Sequence, residues 1–129
     1  MPTRSKDWLR QAKRDLDHAG EDLKSEYYEW GCFSAHQAAE KAVKALFLHL
    51  HAEAWGHSVK KLLENLPETV GYSQELIEIG AALDKFYIPT RYPNGFDVGT
   101  PEDYYGKRDL EEAMAYARKI VQYCEDKIS

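Results

Sequence analysis

Cysteine is scarce in this chain: two residues in 129, Cys32 and Cys124, far apart and without C-x-x-C spacing. Such a pair builds neither a zinc site nor the disulfide framework of a small secreted fold. The expectation is two buried thiols in a reducing compartment. No apolar run approaches the ~20 residues that span a bilayer. The opening MPTRSKDWLRQAKRD has no apolar core of the signal-peptide kind. A cytoplasmic protein with no membrane contact is therefore expected. No stretch alternates with period two for long enough to make a strand. A glycine-rich phosphate loop and a nucleophile elbow are also missing, so nucleotidyl transfer by this chain alone and serine hydrolysis lack their parts. Positive charge does not dominate, because 17 Lys and Arg face 22 Asp and Glu for a net charge of −5. That excludes a general nucleic-acid binder, whose affinity rests on neutralising phosphates. It leaves room for a basic cluster in one cleft.

What is present is helix-forming. The apolar share of 43% and aromatic share of 12% suit a folded chain, and 129 residues suit one domain, 1–129. Leu9, Ala12, Leu16, Ala19 and Leu23 recur at steps of three and four, one helical stripe with Ser5 as its expected cap. A break follows near KSEYYEWG. A second helix is expected from about Trp30 to His51, with Ala35, Ala39, Ala42, Leu46 and Leu50 as its stripe. Ser58 caps a short helix that Pro67 and Gly71 close off. Ser73 caps the next, with Leu76, Ile79, Leu83 and Phe86 on its stripe and Pro89 as its stop. Asp109 and Glu112 read as a capping box for the last helix, which carries Leu110, Met114, Ala117, Val121, Cys124 and Ile128. The fold class is all-α: an up-and-down bundle of four long helices plus a short fifth.

On the second helix His36, Glu40 and Lys44 stand at i, i+4, i+8 in one row, and Gln37 and Lys41 in the next. Spacing alone fits a solvated face with a Glu40–Lys44 ion pair. The sharper alternative is a cleft in which Lys41 and Lys44 meet phosphate. His36 with Glu40 is at most half a metal site, and no second pair completes it, so no metal is expected.

The stretch from Tyr87 to Gly106, YIPTRYPNGFDVGTPEDYYG, breaks the helical pattern. Loops of this length in a compact bundle are usually functional or mobile. Pro89 and Pro93 restrict the backbone around Arg91 and Tyr92. The guanidinium of Arg91 suits phosphate, and Tyr87, Tyr92, Phe96, Tyr104 and Tyr105 offer faces for a stacked base. The alternative is that the aromatics only cover the end of the bundle while Arg91 pairs with an Asp or Glu.

SAHQAAEKAVKALFLHL, then GHSVKKLL, then YIPTRYPNG, in that order, resemble the HEPN domain, a small helical domain of higher eukaryotes and prokaryotes. The matching positions are Glu40, Lys41, Lys44 and Ala45 on the second helix, His57 before the short helix, and Arg91, Tyr92 and Pro93 after the fourth. The resemblance implies a commonly dimeric bundle, often the partner of a minimal nucleotidyltransferase in a toxin–antitoxin-like pair. In other members it implies a metal-independent ribonuclease, marked by an Arg, four to six residues, and a His. Here those positions hold Phe96, Asp97 and Val98, and no His follows Arg91. Arginine cannot shuttle a proton near neutral pH, so no catalytic residue is assigned and the ribonuclease becomes the alternative reading. The expected function is a nucleotide-binding module with no resident cofactor. Lys41, Lys44 and Arg91 would contact phosphate, Glu40 would orient the lysines, and Tyr87, Tyr92 or Tyr105 would stack or shape the cleft.

Overall fold

The computed structural model describes residues 3–129. Among them, five α-helices run in the order α1 Ser5–Lys24, α2 Tyr28–His49, α3 Val59–Glu64, α4 Gln74–Asp84 and α5 Lys107–Ile128, with no strand. The up-and-down helical bundle is the fold expected from periodicity.

Helix α2 occupies the centre. It packs along α1 on one side and α5 on another, and it also meets α3 and α4. Small residues permit this: Cys32, Ala35, Ala38, Ala39, Ala42 and Ala45 are all fully buried. A helix surrounded on several sides has little solvated face left. This explains why His36 and Glu40, which look polar and outward in a helical projection, are buried at 0% and 4% exposure. Leu9, Ala12 and Ala19 of α1 complete the core with Leu110, Ala113, Ala117, Ile120 and Cys124 of α5.

Boundaries shift by a few residues. Helix α2 starts at Tyr28 and stops at His49, inside the expected limit at His51, because His51 adopts a left-handed φ of 57° that no helix continues through. Ser5 is the first residue of α1 and not its cap; Arg4 holds the cap position, and the Thr3 hydroxyl accepts from the Ser5 amide at 3.3 Å. The cap of α5 is Gly106. Its amide donates to the Asp109 carboxylate at 2.8 Å, so Asp109 reaches back from the first turn and forms no box with Glu112. Ser58 and Ser73 cap α3 and α4 as expected, accepting from the Lys61 and Leu76 amides.

Between α4 and α5 the chain makes two short 3₁₀ turns, Pro93–Gly95 and Pro101–Asp103. Each begins at a proline, whose fixed φ suits a first helical position. The segment is pinned at several points. Thr90, almost fully buried, donates to the Phe86 carbonyl at 2.5 Å, and Tyr104 donates to the Val98 carbonyl. Phe96 and Tyr104 stack with centroids 4.0 Å apart.

Candidate functional site

Asp84, the last residue of α4, organises one end of the bundle. Its carboxylate accepts from the Ser58 hydroxyl and the Val59 amide at 2.7 Å, from the Lys60 amide at 3.2 Å, and from Nε2 of His36 at 3.1 Å. It therefore satisfies the free amides that begin α3 and ties α3 to α4 and α2. Burial alone would raise its pKa, but the four donors outweigh that and hold the carboxyl below its ordinary range. The other ring nitrogen of His36, Nδ1, is buried and has no partner among the described residues.

One turn further along α2, the Glu40 carboxylate receives Lys44 Nζ at 3.1 Å, and both of its oxygens lie 3.2 Å from His57 Nδ1. His57 immediately precedes the Ser58 cap, so the Asp84 anchor that fixes the start of α3 also fixes His57. A carboxylate beside Nδ1 calls for a proton there, which leaves Nε2 as the acceptor nitrogen of the neutral ring.

The His57 ring stacks on Tyr87 at 5.1 Å between centroids and 19° between planes, and the His36 ring lies 5.0 Å from Tyr87. Arg91, one turn after Tyr87, donates through Nε to the Tyr87 carbonyl at 2.9 Å. Its guanidinium carbon lies 4.3 Å from the ring centre of Phe33, 4.8 Å from Tyr87 and 5.3 Å from Tyr92. Three aromatic faces thus hold the cation. Among the described residues no carboxylate comes within ion-pair distance of it. Among the described residues Arg91 therefore makes no pair with an Asp or Glu, while the aromatic packing expected at this end of the bundle is present.

Five expected site residues, Glu40, Lys44, Tyr87, Arg91 and Tyr92, belong to this one continuous set of contacts. Two do not join it. Lys41 turns towards α1 and pairs with Asp15 at 2.6 Å; Glu40 orients one lysine, not both. Tyr105 packs edge-on against Phe86 and Phe96, and burial, with smaller contributions from Cys32 and Asp109, raises its pKa. Sequence reasoning left out Phe33 and gave His57 no site role. Phe33 carried a usable signal, three residues before His36 on one helical face. His57 carried the family resemblance and its place before a cap, but its partner Glu40, 17 residues away in sequence, had no local signal. Among the described residues no three His, Cys, Asp or Glu side chains gather as a metal site; His36 turns to Asp84 and Glu40 to Lys44 and His57.

The sequence model of the HEPN domain matches residues 5–127. The chain belongs to the HEPN domain family. Among solved structures, it is 44% identical to TT1696 from Thermus thermophilus, with a TM-score of 0.96 over 98% of this chain and 99% of that one. It is 37% identical to ST0689, described as an archaeal HEPN homologue, with a TM-score of 0.83 over the whole of both chains. A curated protein of Methanocaldococcus jannaschii, named "Putative toxin MJ1304", is 24% identical over 92% of this chain and 84% of its own length. No helix among the described residues is long and apolar enough to cross a membrane.

Proposed function

We propose that this HEPN chain is a nucleotide-binding module that acts as a homodimer beside a small nucleotidyltransferase, in a toxin–antitoxin-like pair. The carrying observation is Arg91. A guanidinium held on three rings, with one backbone hydrogen bond and no carboxylate partner among the described residues, keeps its terminal donors for an anion. Lys44 and His57 meet on Glu40, linked to Arg91 through the Tyr87 ring, and Tyr92, 48% exposed, shapes the open side of the guanidinium. Lys41 and Tyr105 lie outside this set of contacts, the one on Asp15 and the other against Phe86 and Phe96. The toxin name of the Methanocaldococcus relative supports the paired arrangement. Calorimetric titration with ATP, ADP and AMP tests the reading. Binding is expected, weakened about tenfold or more in Arg91→Ala, the loss of one hydrogen bond to a charged group. Absence of heat with every nucleotide, together with no complex with a nucleotidyltransferase encoded beside the gene, would overturn it.

A second reading, a metal-independent endoribonuclease, gains one observation. His57 and Arg91 both contact the Tyr87 ring, so a histidine and the arginine share a neighbour although no His follows Arg91 in sequence. Imidazole can move a proton near neutral pH where guanidinium cannot. RNA cleavage in EDTA that is lost in both His57→Ala and Arg91→Ala would favour this reading. An intact RNA substrate with the wild-type protein would remove it.

A further inference from the structure

An apolar groove of about 380 Å³ opens next to this cluster, within the size range of small-ligand pockets (roughly 300–1,000 Å³). Trp8 of α1, Phe47 and Leu48 at the end of α2, and Trp55 of the following loop form its walls, with Lys44 and Glu53 among the lining residues. Lys44 is the same residue whose ammonium sits on Glu40, and Glu40 holds His57. Trp55 and His57 flank Gly56, whose φ of 86° turns the chain between them. One loop therefore supplies both an indole for the groove and an imidazole for the polar cluster.

Trp55 is 79% exposed, more than any other large apolar side chain among the described residues. An indole left in water has apolar area to bury, and flat aromatic rings recover it with little demand on edge groups. Lys44 spends one of its three N–H donors on Glu40 and keeps the others for an acceptor entering the groove. Glu53 adds a constraint of direction, because its carboxylate repels an anion from the side it occupies. A ligand satisfying all three is a planar ring carrying an anionic chain, with the chain leaving past Lys44.

We propose that this groove is the base subsite of a nucleotide: the ring lies against Trp55 and Trp8, and the phosphates pass Lys44 towards His57 and Arg91. The inference rests on the nucleotide-binding reading above and adds where the base goes. It moves the base away from Tyr92 and assigns Trp8 and Trp55, which no motif marked.

Calorimetry with ATP and with inorganic tripolyphosphate, which carries the charge without the ring, tests it on the full chain. Wild type is expected to bind ATP more tightly than tripolyphosphate. In Trp55→Ala the ATP affinity is expected to fall on the order of tenfold, the loss of one stacked base, while tripolyphosphate affinity stays the same. Trp55→Phe is expected to recover most of the loss. Trp55 is exposed, and an unchanged circular-dichroism melt checks that the variant folds. If ATP binds equally well to wild type and Trp55→Ala, the base subsite is refuted and the nucleotide reading stands. If neither probe binds wild type, the nucleotide reading fails and the subsite fails with it.

Discussion

Replacing Asp84 with alanine removes one carboxylate that serves four donors. Two are backbone amides at the start of α3, at 2.7 and 3.2 Å, one is the Ser58 hydroxyl at 2.7 Å, and one is the buried His36 ring at 3.1 Å. A hydrogen bond to a charged group contributes about 1.5–3 kcal/mol. Four such contributions do not add, because the donors share one group and water reaches part of it: the Asp84 side chain is 23% exposed. Loss of a partner from a buried pair costs about 3–5 kcal/mol, and the expected value here is at the lower end, about 3 kcal/mol. For a chain of this length that is on the order of a 10 °C fall in Tm. The pH dependence gives a second handle. The folded-state pKa of Asp84 lies below its ordinary value of 3.8. Between the folded and unfolded values the unfolded chain holds more protons, so acid favours unfolding there. The stabilisation is complete above the unfolded value and is lost as pH falls through the folded one. Urea denaturation of wild type and Asp84→Asn, followed by circular dichroism, should therefore show a constant gap at neutral and mildly acidic pH. That gap should close below about pH 4. An Asp84→Ala protein within about 1 kcal/mol of wild type, or a gap that stays constant down to the lowest pH at which both proteins are folded, would refute the anchoring role.

Other outcomes follow from the same geometry. Arg91→Lys should lose nucleotide affinity nearly as Arg91→Ala does, since an ammonium cannot spread over three rings and present a planar fork; Arg91→Ala should also lower stability by about 1–2 kcal/mol in urea, because it loses the bond to the Tyr87 carbonyl and the contacts with three rings. Gly80→Ala should destabilise by about 1–3 kcal/mol in urea, because a methyl there would sit 3.0 Å from the Lys60 backbone nitrogen and force α3 away from α4. Gly20→Ala makes the control: its nearest neighbour would be the Met114 methyl at 3.7 Å, so helix propensity should stabilise it by about 0.5–1 kcal/mol. Burial, with Asp109 and Glu29 nearby, pushes the Cys32 thiol up to about 12, and burial raises Cys124 further. Thiol reagents at mildly alkaline pH should leave both unmodified in the native protein and label both in guanidinium; rapid native labelling of either would contradict their burial.

Helix number, order and most of the apolar stripes were legible because each depends on short-range periodicity. Leu110, Met114, Ala117, Val121, Cys124 and Ile128 repeat on one side of α5, and all six are buried. The Ser58 and Ser73 caps depend only on residues three places on. The polar row of α2 was legible as a row but not as an interior. Its burial comes from α3, α4 and the segment after α4 closing over a helix already covered by α1 and α5. Local pattern carries no information about that closure.

From the sequence alone came an all-helical bundle, its HEPN resemblance, and a stiff segment that holds Arg91 between two prolines. Periodicity and stiffness are properties of neighbours along the chain, so they can be read there. Only the tertiary structure decided who meets whom. It sent Lys41 to Asp15 and Lys44 to Glu40, although the two lysines are three residues apart on one helix. It set His57 on the Tyr87 ring that Arg91 also uses, and gave the guanidinium three rings and no carboxylate among the described residues. Those pairings depend on the rotation of α2 against its neighbours and on the Asp84 anchor, both set by packing between distant segments.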